Sequence, residues 1–201
     1  MRAAASRLLE RALGVQTRGV IWQKDEGYAY GLYRPTAWLT LHELFRRLDV
    51  TERDVFLDVG SGMGRVLLVA ARRPFKRVIG VEQNVEMTEI ARRNVERSRR
   101  RLRCQDVELV AADVLDWEIP DDLSVVYLYC PFPEHVLERF MERLLASLDR
   151  SPRELQLIYN FSTTGNRDTI LRTGRAQPVD LAVPRPLRRA FAEVWMVRLL
   201  Q

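Results

Sequence analysis

The chain has 201 residues, 47% hydrophobic and 29% charged, with 32 basic and 27 acidic side chains and a formal net charge of +5. That balance fits one ordinary soluble globular unit, which at this length buries roughly 70% of its unfolded surface and needs no staples. Only 10 Gly and 9 Pro exclude a low-complexity chain, and no apolar run reaches the roughly 18 residues that a membrane span requires.

The basic opening from Met1 to Arg7 lacks the apolar stretch of a secretion signal. Two cysteines, Cys104 and Cys130, and two histidines, His42 and His135, form neither a disulfide framework nor a zinc pattern. A reducing, cytoplasmic setting without a metal is expected. Lysine is nearly absent, at Lys24 and Lys76 only. The surplus of arginine gives a mild bias toward an acidic partner.

In chain order, residues 3–13 carry Ala5, Leu8, Leu9, Ala12 and Leu13 at helical spacing, with Gly14 as a stop. An aromatic stretch follows, with Trp22, Tyr28, Tyr30 and Tyr33. Pro35 then opens a second helix with apolar positions Trp38, Leu41, Leu44, Phe45 and Leu48. Residues 1–53 therefore read as a helical annex and a candidate active-site lid, with His42 beside the apolar stripe of its helix.

From residue 54 short apolar runs alternate with amphipathic stretches. Strands are predicted at 55–59, 78–81, 107–110, 125–129, 155–159, 179–183 and 191–199. Helices are predicted at 64–73, 85–101, 134–148 and 166–172. The alternation predicts an α/β fold, a Rossmann-like, doubly wound, seven-stranded and mostly parallel sheet. No helix separates the last two strands, so they pair as a hairpin and the final strand is antiparallel.

The strongest chemical signal is Asp58-Val59-Gly60-Ser61-Gly62-Met63-Gly64, between the first strand and its helix. Alternating glycines permit positive φ and close approach of backbone to a ligand. The adjoining helix start offers unpaired N–H groups, and this junction is where open α/β sheets bind ligands. A dinucleotide fingerprint needs a sixth-position glycine, but Arg65 stands there, and no Gly-Lys-Ser/Thr follows. Asp58 would repel a pyrophosphate and attract a cationic ligand.

These residues resemble the class I, seven-strand, S-adenosylmethionine (SAM)-dependent methyltransferases over about residues 54–200. The resemblance implies SAM as cofactor, with Asp58, Gly60, Ser61, Gly62 and Gly64 around its methionine part. Val81-Glu82-Gln83, after the second strand, matches the motif whose acid takes the ribose hydroxyls, so Glu82 and Gln83 join the cofactor set. Ala112-Asp113-Val114, after the third, is similar to the adenine site, with Asp113 on the exocyclic amine and the Val114 N–H on the ring. An alternative for Asp113 is a turn or capping role.

Tyr129-Cys130-Pro131-Phe132-Pro133 resembles the Asn/Asp-Pro-Pro-aromatic motif of amino-methylating members, with Cys130 where the motif has Asn or Asp. The segment Tyr28 to Thr36 is similar to one in bacterial relatives of the non-SET protein-lysine methyltransferases, where it folds over the methionine end of SAM. The resemblance thus implies Tyr33, Cys130 and Phe132 at the reacting centre, and Tyr129 and Thr36 against the cofactor. The expected reaction is methyl transfer to an amine, with protein lysine favoured. The alternatives are a small-molecule N- or O-methyltransferase and a non-catalytic SAM-binding scaffold. Tyr159-Asn160-Phe161 offers a second wall for the acceptor, and a homo-oligomer is possible.

Among the weaker features, Arg92, Arg93, Arg97, Arg99, Arg100, Arg101 and Arg103 crowd one helix end. They read as a solvated, dipole-complementing terminus or as a docking patch. No aromatic residues interleave with them, which argues against nucleic acid as partner. Glu134 and His135 follow the fourth-strand motif and lie within chain reach of the pocket.

Overall fold

The computed structural model describes residues 2–19, 35–129, 133–160, 164–183, 188, 191, 192 and 194–200. Two N-terminal helices, α1 (Arg2–Leu13) and α2 (Trp38–Arg47), precede an alternating core. That core runs β1 (Val55–Val59), α3 (Arg65–Ala70), β2 (Arg77–Glu82), α4 (Val85–Ser98), β3 (Val107–Ala111), β4 (Leu123–Tyr129), α5 (Glu134–Arg150), β5 (Leu155–Asn160), α6 (Thr164–Arg172), β6 (Ala176–Pro178) and β7 (Val194–Leu199). The strands form one seven-stranded sheet in the order β3-β2-β1-β4-β5-β7-β6. Its first five strands are parallel, and β7 lies antiparallel between β5 and β6.

Every residue of β1 is buried, as a strand covered on both faces must be. Successive side chains alternate between two cores. Val55, Leu57, Val126, Leu128, Leu157 and Tyr159 join the apolar stripe of α5 on one face. Phe56, Val78, Tyr127 and Ile158 meet α2, α3 and α4 on the other. There Phe45, Phe56 and Phe75 pack at centroid separations of 5.3–6.5 Å. The same cluster includes Val15, Trp38, Leu41 and Leu44, so the annex and the sheet share one core.

Several predicted bounds move, two of them with a visible cause. The second helix starts at Trp38 rather than at Pro35, because Thr36 is drawn into side-chain and carbonyl contacts with the core. The predicted strand at 179–183 lies earlier, at Ala176–Pro178. The Val179 N–H still reaches the Met196 carbonyl at 2.9 Å, but Asp180 then accepts from the Ala182 N–H, and Ala182 takes φ +46°. That turn ends the ladder. On α1, Leu8 and Leu9 are exposed and Glu10 is buried. His42 is exposed as well, away from the stripe of α2.

Candidate cofactor site

The site forms where β1 and β2 end. Gly60, Gly62 and Gly64 take φ of +69°, +53° and +80°, a region that only glycine enters at little cost. The Val81 carbonyl accepts from both the Gly60 and the Ser61 N–H, at 2.9 and 3.1 Å, and this folds the chain back across the end of β2. Gly80 makes the fold-back possible. A Cβ there would stand 2.8 Å from Ser61 Oγ and 2.6 Å from Leu67 Cδ1. Nothing in the sequence pattern singles out this glycine, because its requirement comes from the loop above it.

Glu82 reaches into the same turn. Its Oε2 accepts from the Gly62 N–H and its Oε1 from the Asn84 N–H, each at 2.8 Å. The predicted ribose ligand is therefore also a brace of the glycine loop. Asn84 caps α4 by accepting from the Met87 N–H at 2.9 Å.

Asp58 and Glu82 project from the face of the sheet that carries Phe56 and Val78. Asp58 is 2% exposed, and among the described residues neither its Oδ2 nor the buried Ser61 Oγ has a hydrogen-bond partner. Burial pushes the Asp58 carboxyl well above its ordinary range, and the neighbouring Glu82 charge pushes it further. A buried acceptor without a partner is costly unless a ligand supplies the donor. The ammonium of SAM, beside glycines that admit its backbone-like part, meets that requirement, so the residues present fit this group.

The adenine side is built differently. Asp113 is exposed, and its Oδ1 accepts from the Leu115 N–H at 2.8 Å, the turn-capping alternative. Val114 is buried beside it, and Gln83 is exposed at the end of β2.

Thr36, expected against the cofactor, is buried in a three-way contact. Its Oγ1 lies 2.7 Å from the Tyr127 hydroxyl, and Asn160 Nδ2 donates to both oxygens, at 3.2 and 3.0 Å. Burial raises the Tyr127 phenol above its ordinary value, and the hydrogen bonds from Thr36 and Asn160 offset part of the rise. Tyr129, half-buried, pairs in register with Asn160 at the ends of β4 and β5. Tyr33, Cys130 and Phe132 lie outside the described residues, as do Tyr28, Tyr30 and Phe161.

Sequence reasoning passed over Arg65, the first residue of α3. It is 3% exposed and bound to residues 10, 17 and 36. The signal available was its place directly after the glycine run.

Other candidates turn outward. Glu134 accepts from the Thr169 hydroxyl and from Arg172, each at 2.9 Å, and His135 is exposed. Much of the arginine cluster closes local structure. Arg97 and Arg101 donate to the Gly14 and Leu13 carbonyls at the end of α1, and Arg92 donates to the Leu109 carbonyl. Among the described residues no group of His, Cys, Asp and Glu could hold a metal ion, and no helix is long and apolar enough to cross a membrane.

Residues 56–151 match the family model described as "Methyltransferase domain". Over 87 residues, 42% of this chain, the sequence is 32% identical to the probable ribosomal RNA small subunit methyltransferase A of Methanopyrus kandleri. The match spans 28% of that protein. The fold is similar to that of an RNA methyltransferase from Salinibacter ruber, solved with S-adenosyl-L-homocysteine (SAH), at a TM-score of 0.57 and 23% identity over 83% of this chain and 92% of that one. It is also similar to the ribosomal protein L11 methylase of Lactobacillus delbrueckii subsp. bulgaricus, at 0.53 and 17% over 88% and 83%. Residues 56–151 thus carry a methyltransferase domain, and the strand order gives the chain the seven-stranded fold of the class I, SAM-dependent methyltransferases.

Proposed function

We propose that the protein transfers a methyl group from SAM to an amine, with a protein lysine as the favoured acceptor. The observation that carries the cofactor half is the buried, unpartnered Asp58 Oδ2 beside three positive-φ glycines. SAM supplies a methyl carbon already activated on a sulfonium, and the amine lone pair displaces the thioether sulfur in line as the S–C bond breaks and the N–C bond forms. The chain's own residues bind and align. Asp58 and Ser61 hold the ammonium, Glu82 takes the ribose hydroxyls, and the Asp113–Val114 turn meets the adenine. Alignment of this kind is worth several kcal/mol of a displacement barrier, on the order of 7–11 in the best cases.

An ammonium must lose its proton before it can attack. Apolar and aromatic walls favour the neutral amine by disfavouring its charge. Tyr127 and Tyr129, with the aromatic residues at 28, 30, 33 and 132, are the walls we assign, and no dedicated base is required.

Support for a macromolecular amine comes from the short connections around the acceptor side. β4 ends at Tyr129 and α5 begins at Glu134, while β5 ends at Asn160 and α6 begins at Thr164. Neither connection has room for a lid that encloses a small molecule. The Tyr28–Thr36 likeness favours lysine. A second reading, an amine of an RNA base, is favoured by the 32% identity to a ribosomal RNA methyltransferase. A reducing, cytoplasmic setting suits the buried free thiol of Cys104.

The test is incubation of cell lysate with methyl-labelled SAM and purified protein. Label in a discrete, protease-sensitive band that Asp58→Ala abolishes supports lysine. Nuclease-sensitive label supports the RNA reading, and label confined to small molecules overturns both. Base-labile protein label means an ester and overturns the amine.

A further inference from the structure

One guanidinium joins the annex to the glycine loop. Arg65 Nε donates to Thr17 Oγ1 at 2.9 Å, Nη1 to the Thr36 carbonyl at 2.9 Å, and Nη2 to Glu10 Oε1 at 2.7 Å and to the Thr17 carbonyl at 3.0 Å. Its plane lies over the Trp38 ring, 5.0 Å from the centroid. Glu10 is 6% exposed; it also accepts from the Thr17 hydroxyl at 2.6 Å and from Arg18 at 2.8 Å. A buried ion pair of this kind adds little net stability over an apolar replacement, and its best-attested use is to fix a register.

A second clamp acts one residue before Gly64. Asn94 of α4 accepts from the Gln16 N–H at 2.9 Å and donates to the Gln16 carbonyl at 2.6 Å and to the Met63 carbonyl at 2.9 Å. Gly19 lies against the same residue: a Cβ there would stand 3.0 Å from Met63 Cε. Met63 and Arg65, the two neighbours of positive-φ Gly64, are thus both tied to residues 16–19. Through the Thr36 carbonyl the chain of contacts continues to Tyr127 and Asn160, on β4 and β5.

We propose that Arg65 is a positioning residue of the cofactor site, holding the glycine loop in register with Thr17 and Thr36 so that the donor side and the acceptor wall form one rigid unit. Arg65 touches no reacting atom; it acts through the loop. This rests on the SAM-binding reading above. Lysine cannot replace it, because one ammonium lacks the planar fork that reaches three directions at once. When the staple is lost, the loop samples other arrangements, and the apparent affinity falls by the fraction of time it spends in the competent one.

The test is titration calorimetry with SAH on the full chain, with the melting temperature of each variant recorded. Arg65→Lys keeps the charge opposite Glu10 and loses the contacts to Thr17 and Thr36. It is expected to weaken SAH at least tenfold at a temperature where it is fully folded, and to speed amide exchange at Gly62–Gly64. A folded Arg65→Lys that binds within twofold of wild type overturns the proposal and leaves SAM binding standing. If Arg65→Lys does not fold, Thr17→Val decides: a loss of about threefold supports the role, and unchanged affinity overturns it. A wild type that binds no SAH overturns both this proposal and the function on which it rests.

Discussion

Replacing Asp58 by asparagine tests the chemistry of the site through its pH dependence. The carboxyl is buried, lacks a partner at Oδ2, and sits near the charge of Glu82, so its native pKa is raised. A native carboxyl of this kind keeps a proton that the unfolded chain has released. Between the ordinary carboxylate range and the raised value, the native state therefore binds more protons than the unfolded state. Over that interval stability falls as pH rises, by at most about 1.4 kcal/mol per pH unit for one group. Below the ordinary range Asp58 contributes no pH dependence. The amide in Asp58→Asn has no proton to lose, so the difference between the two stability curves isolates the group. Binding runs the other way. A ligand ammonium favours the ionised carboxylate, so SAH affinity should rise with pH by up to about tenfold per unit across the same interval, with release of up to one proton. Urea unfolding at pH 4–8, and calorimetry in buffers of different ionisation enthalpy, measure both. Superimposable pH profiles for wild type and Asp58→Asn, in stability and in binding, would refute the buried-acid account.

Glu82→Ala should weaken SAH by about a hundredfold or more in calorimetry, because two ribose hydroxyls and the braces at Gly62 and Asn84 all lose an acceptor, at about 1.5–3 kcal/mol per charged hydrogen bond. Asp113→Asn should cost roughly tenfold or less, since the new amide oxygen still caps the Leu115 N–H. Gly80→Ala should lower stability by about 1–3 kcal/mol in urea unfolding, because its Cβ meets Leu67 and Ser61 inside van der Waals contact. Tyr127→Phe should cost about 1–3 kcal/mol, because the hydroxyl shared by Thr36 and Asn160 disappears from a buried site. A melting temperature equal to wild type would mean that the three-way contact is not formed.

The parallel half of the sheet was legible because its strands are short, apolar-rich runs alternating with helical stretches, and α5 because Val136, Leu137, Phe140, Met141, Leu144 and Leu148 mark one helical face. The end of the sheet was less so. Val179–Val183 has strand composition, yet a turn at Asp180 and Ala182 interrupts it, while Ala176–Pro178 pairs on the edge without such a signature. Proline is tolerated there, as edge strands allow. The glycine turn and the acids beside it were visible because the run Asp58 to Gly64 and Glu82 lie at the ends of two legible strands. Arg65, Glu10, Thr17 and Asn94 were not, because their partners are distant in chain order, 48 positions for Arg65 and Thr17 and 78 for Asn94 and Gln16. Among 32 basic residues the one local mark of Arg65 is its place directly after the glycine run, which does not say that it is buried. The exposed leucines of α1 misled for the same reason, since helical spacing predicts a face without saying what will cover it.

Glu82 shows why cofactor recognition and loop folding cannot be separated here. Each of its oxygens already accepts one backbone N–H, from Gly62 and from Asn84. An ionised carboxylate has about four lone-pair sites, so each oxygen can take a second donor without giving up the first. On the proposed function, the loop shape is set before a ribose arrives, so its binding would cost little reorganisation. The same charge raises the pKa of Asp58. Burial and the Glu82 charge both disfavour the ionised form of Asp58. An ammonium against Asp58 would favour that ionised form and offset the cost of burying it, whereas a pyrophosphate ligand would add to the repulsion. On the proposed function, the electrostatics of the pair would select the donor by sign of charge, and the glycines by shape.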